Sequence, residues 1–271
     1  EESDKFGDKS KSAITELSSV LAAAGVAAAL KEIGEALMEC SAAAASFETS
    51  IAKDAAVADK SEKSIEEIEA EILSLSSSTG LSAASIAEAT YSAISAGVDT
   101  ASAVDFVATS TKLAAGGFTE AETAVDVLTT ALNAYGLSVE ETTAVSDILI
   151  TTQNLGKTTV DQLAQSVGKV IPLAAAYGVE MDNLGAAYAV LTAGGVATAE
   201  AGTYLKAMLN ELGDSGSTVA GVLQEQTGKS FADLMEGGAS RGDVLGILRD
   251  SVGRHTTEFH GLWSSTAACV G

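Results

Sequence analysis

An all-α fold, a tandem array of helices about twenty residues long, is predicted by three observations on this chain. The first is punctuation. Gly80-Leu81-Ser82, Gly97-Val98-Asp99, Gly117-Phe118-Thr119, Gly136-Leu137-Ser138, Gly156-Lys157-Thr158 and Gly178-Val179-Glu180 recur every 17–22 residues. A glycine can end one helix in the left-handed conformation, and Ser, Thr or Asp two places on can cap the next by accepting from its free amides. The second is composition: one proline, 4% aromatics and abundant alanine favour helices that approach closely. The third is spacing, with apolar residues stepping 3, 4, 3, 4, 3 along the units. Such self-similarity is the mark of a helical-repeat architecture.

The elements follow in order. Residues 1–12 are polar and charged, and no stable element is expected there. From Ser12 to about Lys53 an alanine-rich helix or helix pair is predicted, with Ile14, Leu17, Leu21, Leu30, Ile33 and Leu37 as its apolar positions. Ser61 to Leu75 places Ile65, Ile68, Ile72 and Leu75 on a narrow seam suited to a paired helix. The third copy of the repeat buries Phe118, Ala121, Val125, Leu128, Leu132 and Tyr135. The fifth buries Val160, Leu163, Val167, Val170, Ala174 and Tyr177. Both end in Ala-Tyr-Gly, and each is predicted to run roughly 18 residues, about 27 Å. Pro172 lacks an amide for the Gly168 carbonyl, so a kink or short break is expected there. Met181 to Ala193 is the sixth copy, and Thr198 to Leu212 closes the array. Gly213 to Ser217 reads as a linker, followed by three or four short helices. The expected organisation is an N-terminal segment 1–60, a helical-repeat core 61–212 and a C-terminal segment 213–271.

Charge and composition narrow the function classes. A net charge of −22 opposes phosphate-mediated nucleic-acid binding and fits a role in keeping an alanine-rich surface soluble. Cys40 and Cys269 stand far apart, which gives neither a zinc ribbon nor a disulfide framework. The apolar run Val20 to Leu30 is too short to span a bilayer and leads into Lys31, Glu32 and Glu35. The chain begins at Glu1 rather than Met and stops at Gly271 in an apolar run, so it is expected to be a piece of a longer polypeptide.

Gly156-Lys157-Thr158 and Gly228-Lys229-Ser230 resemble the end of a phosphate-binding loop. The glycine that loop needs five residues earlier is replaced by Thr151 and Leu223, so a helix stop and cap is the expected role. His255 and His260 are five apart, off a common helical face, and are expected to be exposed. Glu66-Glu67 and Glu140-Glu141 fall in first turns, where they complement the helix dipole. Tyr91, Tyr135, Tyr177, Tyr188 and Tyr204 are expected to fill gaps in an alanine-rich core rather than to form a ligand-stacking row. Trp263 is left open between packing and exposure. The expectation is no catalytic, cofactor-binding or metal-binding residue and no cofactor.

Together the segments resemble the core region of phage tail tape measure proteins of the TP901 type. The resemblance runs from about Ala43 to Leu212. It is carried by Ala44 to Ser50, Ser85 to Gly97, Leu128 to Gly136, Thr151 to Val160, and Val190 to Thr192 continuing to Ala201 to Leu205. It implies a structural, non-enzymatic virion component assembled in the bacterial host cytoplasm and lodged inside the tail tube. There it would set tail length and contact tail-tube, tail-tip and assembly-chaperone proteins, with self-association also possible. The glycine stops imply a compact block within such a ruler. Some members carry a peptidoglycan hydrolase module elsewhere, and its His, Cys or paired-acid signature is not found here. Nucleic-acid binding is not expected, and membrane contact is expected only through other parts of a full-length protein. The alternatives are a generic helical-repeat protein-binding module without a phage role and a membrane-active helical protein. An enzyme is the reading with least support.

Overall fold

The computed structural model describes residues 27–239, 241–252 and 256–270. Among them are fifteen α-helices and no strand. They are α1 (Ala27–Val57), α2 (Ile65–Thr79), α3 (Ala83–Ser95), α4 (Ala103–Gly117), α5 (Ala121–Tyr135), α6 (Thr142–Leu155), α7 (Val160–Val167) and α8 (Ile171–Ala176). There follow α9 (Met181–Ala193), α10 (Thr198–Gly213), α11 (Thr218–Thr227), α12 (Phe231–Glu236), α13 (Arg241–Ser251), α14 (Thr256–Gly261) and α15 (Thr266–Val270). Single 3-10 turns, Thr100–Ser102 and Val139–Glu141, lead into α4 and α6.

Short helices with short connections bury their stripes against one another, some next in sequence and others several helices apart. Helix α3 packs on α4 and α5, α4 on α5 and α6, α5 on α7 and α8, and α6 on α9. Helix α10 packs on α7, α9 and α15, while α1 lies along α3. One buried apolar cluster runs through these layers from Ile51 to Ala268.

The glycine stops act as predicted at Gly80, Gly97, Gly136 and Gly178, all with positive φ. Two copies depart. Gly156 is extended (φ −94°). At the third copy Phe118, not Gly117, takes the left-handed position (φ 56°). Caps also shift. Ser82 caps α3, with the Ser85 amide donating to its Oγ at 3.1 Å. At the fifth copy the cap is Thr159 rather than Thr158, and the Gln162 amide donates to it at 3.2 Å. Glu120 and Glu180 occupy the cap positions of α5 and α9 without a side-chain cap bond.

The fifth copy breaks where its proline predicts. Helix α7 ends at Val167 and α8 restarts at Ile171, with Pro172 in the first turn, where its missing amide costs no bond. The fifth stripe is buried from Val160 through Ala174. The expected lengths need correction: α5 has 15 residues, and the fifth copy is split into helices of 8 and 6. In the third stripe Val125, Leu128 and Leu132 are buried, but Phe118 is 78% exposed. It stands in the connection before α5, so helical spacing does not govern where it points. On the α2 seam Ile68 and Ile72 are fully buried, and Ile65 and Leu75 pack at its edges.

Ala27 to Val57 forms one continuous helix, and the expected apolar position Leu37 is half exposed on it. Ile14, Leu17 and Leu21 lie outside the described residues. The segment beyond Gly213 holds five short helices, more than expected.

Candidate functional site

The motifs flagged in the sequence are placed as follows. Lys157 is exposed, and its amide donates to Thr192 Oγ1 at 3.1 Å, tying the end of α6 to α9. Gly228 closes α11 in the left-handed region, and Ser230 opens α12. The Asp233 amide donates to Ser230 Oγ (3.2 Å), and the Ser230 amide and hydroxyl donate back to Asp233 Oδ2 (3.0 and 2.7 Å). That is a reciprocal stop and cap. Ser64 and Glu67 make the same box at the start of α2, and the Glu141 carboxylate accepts from the Ser138 amide at 2.8 Å. The donors at Ser64, backbone first, hold the Glu67 carboxyl below its usual range, and those at Ser230 do the same for Asp233. His260 is exposed on α14, while His255 lies outside the described residues. Cys40 is exposed and Cys269 half buried, on α1 and α15. Among the described residues no group of His, Cys, Asp or Glu gathers to hold a metal ion, and no helix is long and apolar enough to cross a membrane.

The tyrosines divide. Tyr188 is fully buried, its hydroxyl 3.0 Å from Ser166 Oγ, and burial pushes it up to about 12. Ser166 Oγ is also 3.0 Å from the Thr198 carbonyl, to which it donates. Tyr135 donates to the Val179 carbonyl at 2.9 Å, and burial, aided by Asp182 and Glu180, raises its pKa further. Tyr177 meets Phe231 edge-on at 5.9 Å. Tyr204 donates to Glu200 on its own helix, and Tyr91 is partly exposed. No common row forms: Tyr135, Tyr177 and Tyr188 pack at helix junctions as expected, but Tyr91 is exposed and Tyr204 bonds only along its own helix, so those two do not fill the core. Trp263 is buried and meets Phe259 edge-on at 6.2 Å.

Two features are not flagged by sequence motifs. The first is a set of contacts between hydroxyls and glycines. A Cβ added to Gly185 would stand 2.6 Å from Thr152 Oγ1, and one on Gly156 would stand 2.5 Å from Thr192 Oγ1. Helices α6 and α9 thus lock reciprocally. At Gly202 an added Cβ would meet Ser166 Oγ at 2.2 Å, at Gly117 Val160 Cβ at 2.4 Å, and at Gly213 the Tyr177 ring at 2.0 Å. Five buried hydroxyls are satisfied within their own helices, whereas Ser166 donates across to the Thr198 carbonyl of α10. Thr90, Ser110, Thr129, Thr152 and Thr192 each donate to the carbonyl four residues back, at 2.7–2.9 Å. Gly185 and Gly202 stand in the interiors of their helices, where alanine is the better helix former, and that is the signal a sequence offers for such contacts.

The second is Asp54. It is fully buried on α1 beside Ile51, and neither carboxyl oxygen has a hydrogen-bond partner. Burial, weakly opposed by the Lys53 charge, pushes its pKa up to about 7. Lys53 itself reaches Glu88 of α3 at 3.8 Å. Beyond α1 the turn is pinned polarly. The Asp59 amide donates to Thr100 Oγ1 (2.8 Å), and Lys63 bonds Glu71 and the Ala101 carbonyl (2.8 Å each).

Fold and interior together define a helical packing module, in which buried hydroxyls seat against glycines of the facing helices. The chain belongs to the family of phage-related minor tail proteins, whose model matches residues 69–260, from within α2 to within α14. It is a phage tail protein. No curated protein and no solved structure matches it.

Proposed function

We propose that this chain is the folded block of a tail tape measure protein of the TP901 type, acting in tail assembly and tail-length determination inside the tail tube. The observation that carries this reading is the family match across the capped array, joined to the resemblance in the segments from Ala44 to Leu205. In this role the block is non-enzymatic, and its working parts are helix faces. Its partners are the tail-tube, tail-tip and assembly-chaperone proteins. Helical length scales with residue number at about 1.5 Å per residue, which makes a helical chain a physical ruler.

The test is an in-frame duplication of the segment from Ala83 to Gly213 in the phage gene, with tails measured by electron microscopy. Roughly 130 added residues lengthen the tail by about 200 Å if they lie as extended helix, and by much less if the array stays folded. Either lengthening supports the ruler. Infectious particles with tails of unchanged length would overturn it.

A further inference from the structure

Helix α1 docks through one seam, and a single residue on that seam is out of place. Phe47, Ile51, Asp54 and Ala58 step 4, 3, 4, the spacing of a stripe laid against a neighbour. Phe47 and Ala58 pack at the edge of the core, and Ile51 is buried. Asp54 takes the next apolar place, fully buried, with neither carboxyl oxygen bonded. Such a setting tolerates a protonated carboxyl and strongly disfavours an ionised one.

The neighbouring charges do not relieve it. Lys53 is engaged with Glu88 of α3 at 3.8 Å, and both side chains are about half exposed. Glu88 is the sole carboxylate on α3, where Tyr91 is exposed. On α2, which also touches α1, Glu67 is held in its capping box and Glu71 is paired with Lys63. Glu66 is exposed and Glu69 half-buried. Of the described charges only Lys53 acts on Asp54, too little to offset burial.

The place where α1 would part from the array is also defined. The two turns from Glu35 to Cys40 expose every side chain. Past the helix the chain is fastened: the Asp59 amide donates to Thr100 Oγ1 (2.8 Å), and Lys63 bonds Glu71 and the Ala101 carbonyl. Those bonds fix the chain from Asp59 onward, so α1 can leave α3 while the array stays folded. Helix α1 also lies outside the segment that the minor tail family matches.

We propose that α1 is a pH-gated latch, docked on α3 while the Asp54 carboxyl is protonated and swung free about Ala58 and Asp59 once it ionises. The sign follows from burial. The docked helix holds the proton up to about 7, and the free helix releases it in the ordinary carboxylate range. Docking is therefore firmest in acid, weakens as the pH rises to about 7 and levels off above. Release frees a helix of 31 residues, about 46 Å long, and bares the side of α3 beneath it. The latch does not depend on whether the chain sets tail length.

The test is thiol labelling of the 271-residue chain carrying Cys40→Ser and Cys269→Ser, with one new cysteine at a buried serine. Ser50→Cys reports the α1 seam and Ser110→Cys the interior of α4. Rates are taken from pH 5 to 8, relative to the urea-unfolded chain at each pH. Labelling at Ser50→Cys should rise about a hundredfold, or until protection is gone, and flatten above pH 7. At pH 8 it should exceed labelling at Ser110→Cys by about tenfold or more, the mark of local opening. Asp54→Leu and Asp54→Asn should each abolish the rise. Labelling at Ser50→Cys that is flat from pH 5 to 8 would overturn the proposal. So would equal rates at the two positions at pH 8, or a rise that survives both Asp54 variants.

Discussion

The array from α3 to α10 and the helix α1 solve the same problem in opposite ways. Both bury polar groups. In the array buried hydroxyls such as Thr152 and Thr192 bond within their own helices, and glycines on the facing helices admit them at contact distance. On α1 the buried group is a carboxyl with no partner, and the two turns from Glu35 to Cys40 expose every side chain. Helix α1 also precedes the segment matched by the minor tail family. The difference teaches that the array is held by contacts indifferent to pH, whereas the packing of α1 onto α3 weakens as one buried carboxyl loses its proton.

Truncating the array core should give the largest effect. Phe106 is buried on α4, and Phe106→Ala should cost about 3–5 kcal/mol in urea denaturation, through lost burial and the cavity left behind. An equal loss from Leu37→Ala on α1 would erase the contrast, because Leu37 is half exposed.

Next comes pH. Burial raises the Asp54 carboxyl from its ordinary range to about 7, so the folded state keeps a proton that the unfolded state releases. Its contribution is complete below pH 4, falls as the pH rises to about 7, and levels off above that. The total loss is about 4 kcal/mol by linkage. Denaturation of the native chain and of Asp54→Asn across pH 4–8 isolates this term. The difference between them should decline with pH only for the native residue, while carboxylates with depressed values such as Glu67 act at lower pH in both proteins.

Gly117→Ala should cost about 1–3 kcal/mol by overpacking against Val160, whose Cβ is the nearest atom, and Val160→Gly in the same chain should recover part of it. Additive losses in the double variant would mean that the contact is not what restricts position 117. Smallest is Ser64→Ala, which removes the α2 cap for about 1 kcal/mol in thermal denaturation.

Much of this was legible in the sequence because it is local. The Ala-Tyr-Gly endings, the Ser82 cap and the break at Pro172 each depend on residues a few places apart. What was not legible depends on distant partners. Gly117 reads as a helix stop, but Val160 decides its role, and the left-handed turn passes to Phe118. Phe118 continues an apolar spacing that the chain abandons at the α4–α5 connection. Asp54 looks like any acid on an alanine-rich helix, and only the packing of α1 onto α3 turns it inward. The phosphate-loop resemblances at Gly156 and Gly228 resolved into a helix end and a cap because the context that loop requires is missing.

Hydrogen exchange at pH 8, read helix by helix, tests the central contrast most directly. Amides of α4 to α6 should exchange only through global unfolding, while those in the second half of α1 exchange far faster, and Asp54→Leu should restore their protection. Equal protection of α1 and α4 at pH 8 in the native chain, unchanged by that substitution, would contradict it.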